Sequence, residues 1–405
     1  MLNEENFAIH FSGSSSIGKT TAIRVASSIY ENPIHSWRTT DNAAESLACQ
    51  ANDGLLIFDE LGEVDAKSVD NMAYMLGNGS GKARANKNGD ARPIKTFKLI
   101  ILSTGEVGLD GKLGEIGKQQ KAGQSVRFIE LSADAGHGHG IYKNIYDFET
   151  GENLSRHFKD MIEQHTGTLG DAWLTYLTQG EDSQETILEL IKAYQEAWMD
   201  RYVPKNTNGQ VVRCGRKFAL LAAVGELVTT CCLLPGQLIE QKIDTPPVLS
   251  ALSESLNTLY QSWMQQRGGA DSHEIITIIN CIRSFINEHG SSRFENPWGD
   301  KNHKKDHVDM STPDTPPTHR TYHRAGYRKF IDGQWHYYFF LKAFEVEILT
   351  GKNKKLFLKA LADKGIIEKD ANGKTTKSIS IPGTKQQRLI AISPDSLSQE
   401  DDHDV

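Results

Sequence analysis

Residues Gly13-Ser14-Ser15-Ser16-Ile17-Gly18-Lys19-Thr20 match the pattern G-x-x-x-x-G-K-[ST], and their flanks leave few folds open. Phe7-Ala8-Ile9-His10-Phe11 ahead of them reads as a buried strand. Thr21-Ala22-Ile23-Arg24-Val25-Ala26 behind them reads as the start of a helix. A strand, a glycine-rich loop and a helix N-terminus aim backbone N–H groups at one spot, where phosphate oxygens fit. Gly13, Ser14, Ser15, Ser16, Ile17, Gly18, Lys19, Thr20 and Thr21 are therefore the candidate nucleotide-binding residues. The competing reading is a plain flexible Gly/Ser loop.

A second constellation stands downstream. Gly54-Leu55-Leu56-Ile57-Phe58-Asp59-Glu60 is an apolar run ending in two carboxylates, as a strand of a parallel sheet reads when acids emerge at its C-terminal end. Ligands of open α/β sheets bind at that edge. Asp59 and Thr20 are the candidate Mg²⁺ ligands, and Lys19 would reach the β- and γ-phosphates. Glu60 is placed to orient or deprotonate a water for attack on the γ-phosphate. Two surface acids at a strand end are the alternative.

The chain has 405 residues, enough for two or three domains. Its net charge of −7 excludes a uniformly basic nucleic-acid binder, so any DNA contact must come from local clusters. The cysteines (Cys49, Cys214, Cys231, Cys232, Cys281) form no C-x-x-C pair, which argues against zinc and disulfides and suits a reducing cytoplasm. Phe218–Leu234 is broken by Gly225 and Glu226 and reads as a buried helix rather than a membrane span. The N-terminus lacks the basic-then-apolar order of a signal peptide.

Residues 1–150 alternate strand and helix patterns, with strands expected at Phe7–Phe11, Leu55–Phe58, Phe97–Leu102 and Val126–Leu131, so the expected fold is α/β with a parallel sheet. Residues 151–269 read as helical, with a helix at about Val248–Gln266. Residues 270–395 carry a Pro-rich insertion near 296–326. They then show a hairpin around Asp332-Gly333, helices near Leu341–Leu349 and Lys354–Lys364, and strands flanking a Pro-Gly turn. That order is a winged helix. Residues 396–405 form an acidic tail, expected to be disordered.

Further groups narrow the function. Residues 81–92 surround Asn88-Gly89, a hairpin signal, and carry Lys82, Arg84, Lys87 and Arg92 against Asp90. Such a hairpin is either an electrostatic funnel for a phosphodiester backbone or an ordinary solvated turn. Ser103 or Thr104, at a strand end, is positioned to sense the γ-phosphate or to make a simple turn. Arg127, after an expected helix at Ile116–Gln124, is either an arginine finger for a neighbouring subunit or a structural salt bridge. Arg213 and Arg216 precede the apolar helix Phe218–Leu234, which would hold an arginine over the site. His137/His139 and His303/His307 lack the framework for zinc.

Together these segments resemble the mobile-element replicative helicases of the cassette-chromosome type, relatives of the minichromosome maintenance helicases among the AAA+ ATPases. The resemblance rests on Ser14–Thr21, Trp37–Asn42, Asn52–Gly62, Gly81–Ala85, Leu102–Glu106 and Ala122–Arg127, and spans most of residues 5–395. It implies a P-loop AAA+ core with a helical lid and C-terminal winged helix, ATP and Mg²⁺ as cofactors, and a hexameric homo-oligomeric ring on DNA. Its function would be DNA unwinding or translocation for replication of the element. It implies that Lys82, Arg84 and Lys87 belong to a pore hairpin gripping one strand. Arg127 becomes a finger acting in trans and Arg216 a second sensor. Ser103-Thr104 stands where the family has Asn, and Val126 where it has Ser. Family members carry a long N-terminal region, so a shortened chain is expected. An ATP-switched DNA-binding initiator or loader that does not unwind is the alternative function.

Overall fold

The computed structural model describes residues 4–84, 90–118, 120–179, 184–205, 207–231, 249–267, 273–299, 323–350 and 352–393. The chain divides into two units, Met1–Asp271 and Ser272–Val405.

The first unit is built on a five-stranded sheet, all of whose pairings are parallel. In chain order, β1 (Phe7–Ser12) leads through the Gly13–Gly18 loop into α1 (Lys19–Ser28), β2 (Ile34–Ser36) and α2 (Asp41–Gln50). Then come β3 (Leu55–Asp59), a 3₁₀ turn (Leu61–Glu63), α3 (Ala66–Asn78), β4 (Ile100–Gly105), α4 (Leu109–Gly114), α5 (Ala122–Ser125) and β5 (Phe128–Ser132). The strand order is β2-β3-β4-β1-β5, which puts β4 between β1 and β3. Helices α6 (Gly151–His165), α7 (Thr168–Gln179), α8 (Gln184–Tyr202), α9 (Gly209–Thr230) and α10 (Ala251–Gln266) follow.

Alternation along the strands divides the core. Ala8, Leu56, Phe58, Ile101 and Phe128 pack with Trp37 and the apolar faces of α2, α3 and α4. Phe7, Ile9, Ile129 and Leu131 point the other way and meet Val211, Cys214, Phe218 and Ala222 of α9 and Tyr260 and Trp263 of α10. With both faces covered, the strands read as the continuous apolar runs seen in the sequence.

Three boundaries differ from expectation. β4 begins at Ile100, not Phe97, because Thr96 bridges back to Ser80 and Phe97 N donates to Gly79 O, so this stretch is the return arm of the hairpin. Ser103 and Thr104 lie inside β4 rather than in a turn after it. The helix expected at Ile116–Gln124 is reduced to the short α5 at its end, with α4 already finished at Gly114 and Gly117 at φ +66° in the turn after it. β2 had no recognised signal; three residues are too few to show alternation.

The second unit opens with α11 (His273–His289) and continues with β6 (Phe294–Glu295), β7 (Gly326–Ile331) and β8 (Gln334–Phe339). It then has α12 (Leu341–Ala343) running into a π turn (Phe344–Ile348), α13 (Lys354–Asp363), β9 (Lys377–Ile379) and β10 (Gln387–Ile392). Its sheet has the order β6-β7-β8-β10-β9. Asp332 (φ +50°) and Gly333 (φ +86°) turn the β7–β8 hairpin, as the Asp-Gly pair predicts. Ile278, Ile282 and Phe285 of α11 pack with Phe339, Phe344, Leu358 and Leu361. Residues 396–405 and most of the insertion at 296–326 lie outside the described residues.

Candidate nucleotide site

The parallel arrangement brings the C-terminal ends of β1, β3 and β4 to one edge. Ser12 pairs with Gly105, Phe11 with Thr104, and Phe58 with Ser103, so Asp59 stands level with the start of the glycine-rich loop. Two strand spacings, about 9–10 Å, separate β1 from β3. Lys19 and the two acids therefore share one edge of the sheet.

The loop conformation explains its glycines. Gly13 has φ +152° and Gly18 φ +97°, and a Cβ on either would press within 3 Å of Ile17 or Ile141. Gly18 precedes the first turn of α1 in the left-handed region without a side-chain cap, so the first amides of the helix face the loop. Ser14, Ser15, Ser16 and Thr20 are exposed, whereas Thr21 is buried. Lys19 is 7% exposed, and its Nζ donates to Gly13 O at 2.7 Å and Ser14 O at 2.6 Å. The ammonium thus folds over the rim that its own loop forms. Ile141 N donates to Ile17 O, which brings the segment after β5, with His137 and His139, against the loop.

At the acidic end, Thr104 Oγ1 donates to Asp59 Oδ1. Glu60 N donates to Thr104 Oγ1 at 3.4 Å, and Glu60 Oε1 accepts from Glu106 N at 3.4 Å. Glu60 has φ +61°, an uncommon conformation for a residue with a Cβ, and it swings the side chain out at the strand end. Hard oxygens from Thr20 and Asp59 are the donor types that suit Mg²⁺.

Ser103 points to the opposite face from Thr104. Its hydroxyl lies 2.8 Å from His10 Nδ1 and accepts from Trp37 Nε1 at 2.9 Å, with all three side chains fully buried. Of the two hydroxyls proposed for sensing the γ-phosphate, only that of Thr104 meets the acids; Ser103 joins a buried network. Burial drives the His10 pKa down to about 4, the positive charge of Lys19 adding to the effect while a bond to Val107 O opposes it. The neutral imidazole therefore links β1 through Ser103 to Trp37.

The basic hairpin is anchored at its base. Gly81 N donates to Lys95 O and Arg92 N to Arg84 O, so its arms pair, while Lys87 lies outside the described residues. Arg84 makes a two-pronged bond to Glu45 at 2.8 and 2.7 Å and reaches Asn42 Oδ1 at 2.8 Å. Lys82 pairs with Asp41 at 2.5 Å. Glu45 is 1% exposed, and the Arg84 bonds hold its carboxyl below the usual range despite burial. Lys82 and Arg84 thus fasten the hairpin to α2.

Arg127 sits at the far edge, one residue before β5, where its carbonyl pairs with Ala8 N. Its Nε meets Glu5 at 2.9 Å, and Arg213 and Lys217 of α9 converge on the same carboxylate. This corrects the expectation of a helical arginine held over the loop. The turn of α9 bearing Arg213 and Lys217 lies at the sheet edge opposite Lys19, and Arg216 stands exposed on that same turn. The sequence reading missed Glu5, Glu45 and Lys217. Lys217 is i+4 from Arg213, which is the signal that would have grouped them on one helix face.

A family model described as a domain of unknown function (DUF927) matches residues 1–96. No curated protein matches. Among solved structures, that of "SCCmec type IV Cch - active helicase" is similar with a TM-score of 0.63 at 16% identity, over 97% of this chain and 63% of that one. The chain thus spans 63% of that protein's length, and the likeness shows the fold. NtrX from Brucella abortus in complex with ADP aligns over 72% of this chain and 59% of that one, at 12% identity and a TM-score of 0.22. That score is too low to carry an argument.

Proposed function

We propose that this chain is an ATP-dependent DNA helicase or translocase, an AAA+ motor of the minichromosome maintenance kind, serving replication of a mobile genetic element. The observation that carries the reading is the meeting of Lys19, Asp59, Glu60 and Thr104 at one edge of a parallel sheet ordered β2-β3-β4-β1-β5. The whole-chain likeness to a protein described as an active helicase supports the motor.

In this reading Lys19 leaves the Gly13 and Ser14 carbonyls for the β- and γ-phosphates, and the amides of residues 13–21 hold the remaining oxygens. Thr20 and Asp59 hold Mg²⁺, which when bound neutralises charge on the phosphate oxygens. Thr104 fixes the Asp59 rotamer, and Glu60 takes a proton from the attacking water. Arg127 cannot reach the phosphate loop of its own chain, because the six residues of β1 span roughly 16–20 Å. It serves the neighbouring copy instead, which requires a ring, taken to be hexameric. Helices α6–α10 supply the lid and its connecting helices. The second unit is a winged helix, and the hairpin whose arms pair through Gly81 with Lys95 and Arg84 with Arg92 is the pore element that grips one DNA strand. Among the described residues no helix is long and apolar enough to cross a membrane.

One observation favours the alternative of an ATP-switched initiator or loader. Lys82 and Arg84 are committed to Asp41 and Glu45, so the base of the hairpin is a fixed mount. A strand-displacement assay on a forked DNA separates the readings. A motor unwinds the fork in an ATP-dependent way, and a switch binds it without product.

A further inference from the structure

His10 sits directly across from Ser103 in the β1–β4 ladder, and both side chains are fully buried. Its ring spans two contacts: Nδ1 lies 2.8 Å from Ser103 Oγ and Nε2 lies 3.1 Å from Val107 O. A carbonyl oxygen only accepts, so Nε2 carries the proton and Nδ1 accepts from the Ser103 hydroxyl. Ser103 Oγ in turn accepts from Trp37 Nε1 at 2.9 Å, and Trp37 N donates to Asp59 O at 3.2 Å. A buried path of bonds, each with its direction fixed, therefore runs from the acidic strand end to Val107. Val107 belongs to the turn between β4 and α4. Gly105, the last residue of β4, has no room for a side chain: a Cβ would fall 3.0 Å from Val107 O, 3.2 Å from His10 Cε1 and 3.0 Å from Leu61 Cβ. Its carbonyl accepts from Gly13 N at 3.2 Å, so the same residue abuts the start of the phosphate loop. One residue on, Glu106 N donates to Glu60 Oε1 at 3.4 Å.

A bond of 3.4 Å is at the long end of its range and does not hold a turn by itself. The Glu60 carboxylate is placed by where the turn lies, and the buried imidazole is the anchor of that turn. We infer that His10 is a positioning residue for Glu60. Through Nε2 it fixes the Val107 carbonyl, the turn presents Glu106 N to one carboxylate oxygen, and the other oxygen is left to take the proton from water. That role for Glu60 rests on the reading above, whereas the placement of its carboxylate is a property of the single chain. Ser103 and Trp37 orient the imidazole, so Ser103 acts on the acidic end through His10, whereas Thr104 bonds Asp59 directly.

Two substitutions in the full chain divide the bonds of the imidazole. His10→Asn keeps an acceptor where Nδ1 stands but is too short to reach Val107 O, and His10→Gln keeps a donor at the reach of Nε2. Both remove the ring and its packing on Phe128, 5.5 Å away, so a merely structural role moves both alike. The first measurement is amide hydrogen exchange by NMR without nucleotide. Glu106 N–H is expected to exchange about tenfold or more faster in His10→Asn than in His10→Gln, while the amides of Ile9 and Leu102 exchange alike in the two. Equal exchange at Glu106 overturns the inference, and so does a quickening at Ile9 and Leu102 as large as at Glu106, which marks general loosening. The second measurement is turnover. At saturating ATP, His10→Gln is expected to be about tenfold or more faster than His10→Asn, with the same KM for ATP, as when a reacting group is misplaced by a fraction of an ångström. Equal kcat in the two variants of a chain whose wild type hydrolyses ATP also overturns it. If His10→Asn does not fold, Gly105→Ala decides, because its methyl group presses on Val107 O and on the ring of His10. Glu106 exchange is then expected to quicken against the wild type, and unchanged exchange overturns the positioning. A chain whose variants exchange as expected but whose wild type never hydrolyses ATP refutes the motor and leaves the placement of Glu60 standing.

Discussion

His10 is a titratable group at the centre of β1, and its environment fixes its charge. Its pKa of about 4, against 6.5 for the free side chain, means that the unfolded chain binds more protons between those values. Stability then rises with pH across that window and is lost as pH falls through it. The loss is expected to reach on the order of 3 kcal/mol by pH 4. Denaturant titrations at pH 7 and pH 5 measure it, and His10→Gln is expected to flatten the difference; an unchanged slope in that variant refutes the assignment. Glu5 acts in a lower window, between the ordinary carboxylate range and about 2. Its lowered pKa gives stability that is present above that range and lost below it. For catalysis, Glu60→Gln is expected to keep ATP binding while lowering turnover by 10²-fold or more, on the order of the loss of a general base. Binding and hydrolysis measured in parallel check it. Of the candidate residues, Lys19 was legible from the G-x-x-x-x-G-K-[ST] pattern, and Asp59 and Glu60 because they end an apolar run. Glu5 was not, because a lone acid ahead of a strand has no pattern until Arg213 and Lys217 are brought to it.

At the scale of elements, two buried carboxylates act as joints. Glu45 of α2 mounts the hairpin through Arg84, and Gly81 is required beside it because a Cβ there would fall 2.6 Å from the Glu45 carboxyl carbon. Arg84→Lys is expected to lower the denaturation midpoint of the first unit, since an ammonium cannot reproduce the two-pronged bond. Glu226 of α9 accepts from Ser250 N at 2.8 Å, Ser250 Oγ at 2.9 Å and Ser253 Oγ at 2.5 Å, tying α9 to α10. Glu226→Ala leaves these donors unpaired and is expected to cost about 1–3 kcal/mol, read as a shift in the denaturation midpoint. A midpoint that does not move in either variant contradicts the joint it tests. The strands were readable because burial on both faces turns each into an apolar run. The helix expected at Ile116–Gln124 was misread because a basic, polar stretch carries no apolar period to show where Gly117 interrupts it. Arg216 was singled out by the resemblance, whereas the helical period puts Lys217 with Cys214 on the buried side.

For the whole molecule, the candidate groups are divided between two edges of one sheet. The phosphate loop and acids occupy one edge, and Arg127, Arg213, Lys217 and Glu5 the other. In the proposed reading such a chain completes its site only with a copy of itself, so turnover is expected to rise more steeply than in proportion to protein concentration. Light scattering with ATP and Mg²⁺ is expected to show the assembly. A persistent monomer with full turnover contradicts this division of labour. The sequence showed both edges as separate motifs, but only the register of β1 against β4 and β5 shows that they are opposed. The most direct test of the central claim is steady-state ATP turnover of the wild-type chain and of Lys19→Ala, each with and without single-stranded DNA. The account predicts turnover stimulated by DNA in the wild type and none in the variant. Equal turnover in the two proteins would contradict it.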